Sequence, residues 1–240
     1  MKFLVCKDYD EMSVKASEIM ADVLCAKKDA VLGLATGSTP VGMYKELIKM
    51  QKNGKISFKD VKSVNLDEYY PISPENENSY RYFMDDNLFN HIDIDKNNTY
   101  VLNGLAEDPD KECENFEEII SQLGQVDIQV LGIGRNGHIA FNEPDSKLYE
   151  KTHVTDLTQS TIDANARFFD SIDQVPTKAL TMGIGSILKA KKIIILAGGK
   201  EQSDAIKILK DEFIDPMCPA TMLKVHPDVT VICDEDAWNN

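Results

Sequence analysis

The strongest constraint on the fold is an alternation of two residue patterns along the chain. Short apolar runs rich in β-branched residues alternate with longer segments whose apolar residues recur at helical spacing. The apolar runs are residues 3–6, 30–35, 61–66, 99–102, 126–133, 179–184, 193–197 and 229–233, and the helical patterns include 11–26, 41–51, 79–91 and 112–123. This alternation predicts an α/β fold: an open, doubly wound, mostly parallel sheet with helices on both faces.

The chain has the length of one large domain and shows no sign of a second. Its 240 residues can bury a substantial core, and they contain no internal repeat, low-complexity tract or Pro/Ser-rich linker. The polar residues 52–55 fit a loop better than a domain boundary. We therefore expect a single domain over residues 1–240.

Charge and cysteine usage exclude several classes of protein. Forty acidic against 26 basic residues give a formal net charge of −14, which opposes binding to nucleic acid. The five cysteines are scattered, with no pairing or metal-ligand spacing, and indicate reduced thiols in a cytoplasmic protein. The apolar runs are far shorter than the roughly 20 residues that span a bilayer, and the first run cannot be a signal sequence.

In open α/β sheets, ligands bind beyond the carboxyl ends of the strands, so functional residues are expected just after the apolar runs. The first group is Gly37, Ser38, Thr39 and Pro40, where a buried strand leads into a helix. Free N–H groups, two hydroxyls and the helix dipole can bind an anion there, with Thr39 capping the helix and Pro40 in its first turn. An ordinary strand-turn-helix connection explains the same residues, but a Walker A loop does not, since Gly-Lys-Ser/Thr is missing.

The second group is Asp67 and Glu68, two carboxylates at the end of an apolar run. Adjacent residues of an extended chain point in opposite directions, so only one of them can face a cleft. The alternative is an acidic pair that forms a turn.

The third group lies in residues 131–144, where three glycines precede Asn136, His138 and Glu143. A histidine between hydrogen-bonding partners is a candidate for acid–base catalysis. The glycines imitate a dinucleotide-binding motif, but no acidic strand end follows about 20 residues later, which argues against NAD.

Together these segments resemble the glucosamine-6-phosphate deaminase family from about residue 2 to residue 233. The resemblance is carried by residues 35–40, 65–69, 132–144, 160–170 and 175–185, in the family's order and at its spacing. His-Ile-Ala-Phe-Asn-Glu-Pro, from His138 to Pro144, is the most specific of these motifs. The resemblance implies a Rossmann-like sheet shared with ribose-5-phosphate isomerases and 6-phosphogluconolactonases.

The resemblance also implies roles for individual residues. Asp67 matches the family's proton-transfer base, and Asn136, His138 and Glu143 match its ring-opening group, in which some members have Asp in place of Asn136. The implied phosphate-binding residues are Gly37, Ser38, Thr39, Arg167 and Lys200. The usual lysine position falls on Gln202, so Lys200 would have to serve from a shifted loop. Residues 158–176 are expected to form a lid.

The implied reaction is the isomerisation and deamination of an amino-sugar phosphate in amino-sugar catabolism, with no cofactor and no metal ion. The chain would act as a monomer or homo-oligomer, without nucleic-acid or membrane partners. A 6-phosphogluconolactonase-like hydrolase and a non-catalytic sugar-phosphate sensor domain are the alternatives.

Longer hexameric members of the family bind an activator, N-acetylglucosamine 6-phosphate, through a basic pair. Here the matching positions are His153 and Thr155, so we expect no activation. The alternative is that other basic residues, such as Lys147 or Lys151, replace the pair in a rearranged interface.

Overall fold

The computed structural model describes residues 1–166, 169, 171 and 174–239. Within them, ten strands follow one another along the chain. They are β1 (Lys2–Cys6), β2 (Val31–Leu34), β3 (Lys62–Asn65), β4 (Asp67–Tyr70), β5 (Thr99–Tyr100), β6 (Ile128–Gly132), β7 (His153–Asp156), β8 (Lys178–Thr181), β9 (Ile193–Ala197) and β10 (Val229–Asp234).

Seven of these strands form the main sheet, in the order β1-β10-β9-β6-β2-β3-β5. Every neighbouring pair in it is parallel, as the alternation of patterns predicts. All side chains of β2, β9 and β10 are buried. Each large aliphatic side chain buried in this way contributes about 1.5–3 kcal/mol to stability. The predicted α/β, Rossmann-like class of fold is confirmed.

Eight α-helices connect and cover the strands of the described chain. They are α1 (Tyr9–Ala26), α2 (Val41–Lys52), α3 (Tyr80–Asn87), α4 (Pro109–Leu123), α5 (Gln159–Asn165), α6 (Ile184–Leu188), α7 (Ser203–Lys210) and α8 (Glu235–Asn239). Right-handed crossovers that run in opposite directions along a sheet place their helices on opposite faces. The chain runs one way from β1 to β5 and the other way from β6 to β10, so both faces are covered.

The strand expected at residues 179–184 does not join the main sheet. It spans Lys178–Thr181 and pairs antiparallel with both β4 and β7, forming a second sheet in the order β4-β8-β7. The side chains of β7 are partly or fully exposed, and antiparallel sheets tolerate one solvated face whereas parallel sheets rarely do. Residues 182 and 183 then lead directly into α6.

The prediction that Thr39 caps α2 is wrong. The helix begins at Val41 with Pro40 in the N-cap position, and no side chain of that residue caps it. The carbonyl of Pro40 accepts the hydrogen bond from the N–H of Tyr44 at 3.0 Å, so the hydrogen bonds of the helix begin at Pro40 and not at Thr39. The hydroxyl of Thr39 is therefore not committed to the helix.

Two general expectations about the chain can be compared with the structure. The five cysteines are free, and four of them are buried. Among the described helices, none combines the length and apolar character that crossing a membrane requires.

Candidate active site

The loops after β2 and β6 flank the point where the direction of the sheet reverses. These strands are neighbours, but the chain leaves β2 towards β3 and leaves β6 towards β9, on the opposite side. Such a switch point opens a crevice at the carboxyl edge of the sheet, where ligands bind in open α/β folds. The three groups of residues singled out from the sequence follow β2, β3 and β6, so the fold brings them to this edge.

Hydrogen bonds and strand pairing hold the three groups beside one another. The N–H of Leu66 donates to the carbonyl of Leu34 at 3.3 Å, joining the end of β3 to the end of β2. Thr181 lies opposite Asp67 in the register of β4 and β8. The hydroxyl of Thr181 also accepts a hydrogen bond from the N–H of Phe141 at 3.1 Å. The start of β4 is thereby fixed next to the loop that carries His138.

The loop after β2 presents unsatisfied donors to solvent. Gly37 has φ +89°, a conformation that favours glycine, and the following two residues are exposed or partly exposed. The N–H groups of Gly37, Ser38 and Thr39 donate to no acceptor in the described part of the chain, nor do the two hydroxyls. These donors stand at the N-terminal end of α2, where the helix dipole favours negative charge. The loop can therefore bind a phosphate without a full positive charge.

Asp67 and Glu68 are both buried, but their carboxylates have different surroundings. Glu68 accepts hydrogen bonds from the N–H groups of Tyr69 (2.9 Å), Tyr80 (2.8 Å) and Arg81 (2.9 Å). It thus ties β4 to the first turn of α3. The carboxylate of Asp67, on the other side of the strand, makes no hydrogen bond or ion pair with any described residue. Only Asp67 is free to react.

Burial raises the pKa of both carboxyl groups. The pKa of Asp67 is raised to about 8, first by desolvation and second by the neighbouring charge of Glu68. Desolvation raises the pKa of Glu68 to about 7, against the opposing effect of its three N–H donors. An unpaired buried carboxylate with a pKa near neutrality has the properties of a general base.

Four side chains form a continuous hydrogen-bonded chain ending at His138. The hydroxyl of Thr161 in α5 donates to Glu143 Oε1 at 2.7 Å, and Asn136 Nδ2 donates to Glu143 Oε2 at 2.8 Å. His138 Nδ1 lies 2.7 Å from Asn136 Oδ1 and 3.6 Å from Glu143 Oε2. The structure therefore brings together the three residues of the predicted ring-opening group and adds Thr161.

These hydrogen bonds determine which nitrogen of His138 carries the proton. A carboxylate can only accept, so the amide nitrogen of Asn136 faces Glu143 and the amide oxygen faces His138. The same oxygen also accepts the backbone N–H of His138 at 3.2 Å, which fixes this orientation independently. Nδ1 must then be the donor, and the neutral imidazole has its lone pair on Nε2.

The imidazole of His138 is kept neutral by its surroundings. Burial lowers its pKa, and the charge of Glu143 opposes this effect without cancelling it. Space for the ring comes from Gly134, where an added Cβ would lie only 2.2 Å from Cε1 of His138. The Gly-rich loop thus serves to seat the histidine against the backbone.

Lys200 and Gln202 both lie in the loop after β9, but their side chains have different surroundings. Lys200 is exposed and forms no ion pair with another described residue. The side chain of Gln202 makes two hydrogen bonds: it accepts from the N–H of Gly198 at 2.7 Å and donates to the carbonyl of Ile133 at 2.9 Å. Gln202 therefore joins the loops after β9 and β6, and one of its two amide N–H donors is used in doing so. Arg167 lies outside the described residues.

Two residues of this site were given no role from the sequence. The sequence pattern identifies Glu68 only as one half of an acidic pair, and it does not identify Thr161. A carboxylate at the end of a strand can accept the free N–H groups in the first turn of a following helix. For Glu68 that helix is α3, whose first turn lies 12 residues further along the chain. No local pattern marks Thr161, because its partner Glu143 is 18 residues away.

Comparisons with known proteins agree with this geometry. The chain is 56% identical over 239 residues to the glucosamine-6-phosphate deaminase of Clostridium beijerinckii, covering 100% of this chain and 99% of the relative. It is 54% identical to that of Clostridioides difficile, covering 99% of this chain and 95% of the relative.

Solved structures show the same relationship. A structure described as a monomeric glucosamine-6-phosphate deaminase matches with a TM-score of 0.96 and 47% identity, covering 99% of this chain and 98% of that one. The 6-phosphogluconolactonase of Leishmania guyanensis covers 100% of this chain and 98% of its own at a TM-score of 0.76 and 20% identity, and so shares the fold. The family model described as glucosamine-6-phosphate isomerases/6-phosphogluconolactonase matches residues 9–232. The chain belongs to this family of glucosamine-6-phosphate isomerases and 6-phosphogluconolactonases.

Proposed function

We propose that the chain is a glucosamine-6-phosphate deaminase, which converts glucosamine 6-phosphate and water to fructose 6-phosphate and ammonia. The observation that carries this proposal is the free, buried carboxylate of Asp67 next to the loop of His138. The reaction needs two separate proton-transfer groups, one at the ring oxygen and one at C2. The relatives at 54–56% identity support the same assignment.

Ring opening is the work of His138. The cyclic sugar must transfer a proton from its C1 hydroxyl to its ring oxygen before C1 becomes an aldehyde. Nε2 of the neutral imidazole accepts the first proton, and the imidazolium returns it to the ring oxygen as the C1–O5 bond breaks. Asn136 and Glu143 keep the ring in the required tautomer and stabilise the transient positive charge.

Isomerisation is the work of Asp67. Once C1 is an aldehyde, the proton on C2 becomes acidic and the ionised carboxylate removes it, while the aldehyde oxygen takes up the proton that the substrate's ammonium group releases, giving an enolamine. Return of the proton to C1 leaves an imine at C2, which water hydrolyses to the ketone and ammonia. A base with a raised pKa accepts a carbon-bound proton more readily than an ordinary aspartate does.

The phosphate is bound away from the reacting carbons, by the donors of residues 37–39. Binding energy from this remote group holds C1 and C2 in the reactive position. We include Lys200 and Arg167 in the phosphate site on the basis of the family resemblance.

We further propose that the enzyme is a cytoplasmic monomer. The free cysteines fit a reducing compartment, and the relative of known structure at 47% identity is described as monomeric.

The test of the proposed function is product analysis of the purified chain. With glucosamine 6-phosphate we expect ammonia and fructose 6-phosphate in equal amounts, and with 6-phosphogluconolactone no hydrolysis above the uncatalysed rate. Lactone hydrolysis without ammonia release would support the hydrolase, which needs no base at C2. Sugar-phosphate binding without turnover would support the sensor domain.

A further inference from the structure

The hydroxyl of Tyr9 bridges two parts of the loop that precedes α2. Tyr9 is the first residue of α1, and its Oη donates to the carbonyl of Ser38 at 3.0 Å and accepts from the N–H of Gly42 at 2.8 Å. These partners are 29 and 33 residues further along the chain. A single hydroxyl thus connects the start of α1 to the start of α2.

The bridge replaces a missing helix cap. The N–H groups in the first turn of a helix have no partner within the helix, and the N-cap residue Pro40 has no side chain that can accept from them. The Oη of Tyr9 accepts one of these N–H groups, that of Gly42, from outside the helix. The other half of the bridge, to Ser38, stabilises the loop itself.

The bond to Ser38 fixes the direction of the next N–H group. In a trans peptide the carbonyl of one residue and the N–H of the following residue point in opposite directions. When Tyr9 holds the carbonyl of Ser38 on the side of α1, the N–H of Thr39 must point to the opposite side of the peptide. The only other hydrogen bond to this carbonyl from a described residue comes from the N–H of Val41 at 3.4 Å, which is long. Tyr9 is therefore the main restraint on this peptide.

Rotation of this peptide would reverse its effect on an anion. The N–H of Thr39 would turn away from the bound group, and the partial negative charge of the carbonyl oxygen would replace it. The neighbouring N–H groups of Gly37 and Ser38 have no acceptor among the described residues either, so little else there holds the loop in the form that presents its donors.

We propose that Tyr9 is a positioning residue for the substrate phosphate, acting through the orientation of the Ser38–Thr39 peptide. This inference rests on the proposed function, which places the phosphate at residues 37–39. The hydroxyl of Tyr9 bonds to the loop and to the start of α2 and has no part in the proposed proton transfers, so its removal should affect binding and leave the chemical step intact.

The test is Tyr9→Phe, which keeps the ring and removes only the hydroxyl. We expect KM for glucosamine 6-phosphate to rise about tenfold, the effect of weakening one hydrogen bond to a charged group, with kcat nearly unchanged. Tyr82→Phe is the matched control, because the hydroxyl of Tyr82 makes no hydrogen bond to a described residue. The control should have wild-type KM and kcat.

A direct measurement of anion binding separates this inference from the proposed function. The dissociation constant of inorganic phosphate, followed by calorimetry, should rise by a similar factor in Tyr9→Phe. This arm can be read even if the wild-type chain releases no ammonia. Phosphate affinity and KM within twofold of wild type would overturn the inference. A lower kcat and a lower Tm with unchanged phosphate affinity would also overturn it, because Tyr9 would then be merely structural.

Discussion

At the scale of single residues, Asp67 and Glu68 show how two adjacent carboxyl groups serve different purposes. Glu68 is stabilised by three backbone donors and holds α3 against β4. Asp67 has no such compensation within the described chain, so its burial costs free energy whenever it is ionised. A protein keeps an uncompensated group of this kind where the charge is used.

The pH dependence of kcat/KM should report the ionisation of Asp67. Because its pKa is raised to about 8, the reactive, ionised fraction increases as the pH rises towards 8. Of the ionisable groups around Asp67, Tyr69 and Tyr80 remain neutral in this range, since burial raises their pKa values, and Glu68 contributes negative charge.

Glu68→Gln removes that charge and should shift the rise of kcat/KM to lower pH. Comparing the variant with wild type cancels the titration of the substrate's own amine and phosphate. An unchanged profile would mean that another group controls the rate.

The stability of the fold should also depend on Asp67. Its pKa in the folded state lies above the unfolded value of about 4, so the folded state binds more protons between pH 4 and pH 8, and stability falls as the pH rises through this window. Asp67→Asn removes the effect, and its Tm should exceed that of wild type by at least about 3 °C at pH 8, but by less at pH 5. Thermal unfolding at both pH values measures this, and a variant that is less stable at pH 8 would contradict it.

At the scale of elements, the loop after β6 is held in a shape that few residues permit. Ala140 has φ +52°, an unusual conformation for a residue with a Cβ, and Asn142 anchors it by donating from Nδ2 to the carbonyls of Ile139 and Met182. Strained backbone that is fixed by buried hydrogen bonds is typical of sites that must be rigid.

Gly134→Ala should disable the site with little harm to the fold. The added Cβ would lie 2.2 Å from Cε1 of His138, so the imidazole must leave its position above the loop. We expect kcat to fall by about 10²-fold, the lower range for losing a general acid–base group, while Tm changes little. Gly132→Ala is a control nearby, because nothing lies within 4 Å of its added Cβ. Wild-type activity in Gly134→Ala would show that the ring need not lie there.

Sequence patterns predicted the elements better than the contacts between them. The run at 193–197 coincides with β9, and most other runs end within one or two residues of the observed strands. The small antiparallel sheet was missed because β7 has no apolar alternation, and its existence depends on pairing with β8. In the site, residues after strands could be foreseen because parallel strands end at one edge.

The bridging roles of Tyr9 and Gln202 could not be predicted, since their partners are up to 33 and 69 residues away.

At the scale of the whole molecule, the reversal of sheet direction between β2 and β6 brings the candidate site residues to one edge of the sheet. The two positions expected to match the activator site of longer relatives, His153 and Thr155, carry no fixed positive charge. Burial lowers the pKa of His153, whose ring stacks on Tyr149, and Lys178 lies 3.9 Å from Asp156.

The rate should therefore depend hyperbolically on substrate concentration. A neutral His153 and an uncharged Thr155 offer no pair of cations to a phosphate at these positions, and activation requires stronger binding to one of two states. Initial rates with and without N-acetylglucosamine 6-phosphate measure this. A sigmoidal curve that the added compound makes hyperbolic would contradict the expectation.

The assignment of Asp67 as the base is tested by following the hydrogen at C2 of the substrate. Glucosamine 6-phosphate carrying deuterium at C2 is incubated with wild type and with Asp67→Asn, and the products are analysed by NMR. We expect wild type to remove the deuterium to C1 of fructose 6-phosphate or to water, with a slower rate than for the unlabelled substrate. Asp67→Asn should keep its affinity for the substrate and lose at least about 10²-fold in turnover. Ammonia release with deuterium still at C2, or turnover above about a tenth of wild type in the variant, would contradict the assignment of Asp67 as the base.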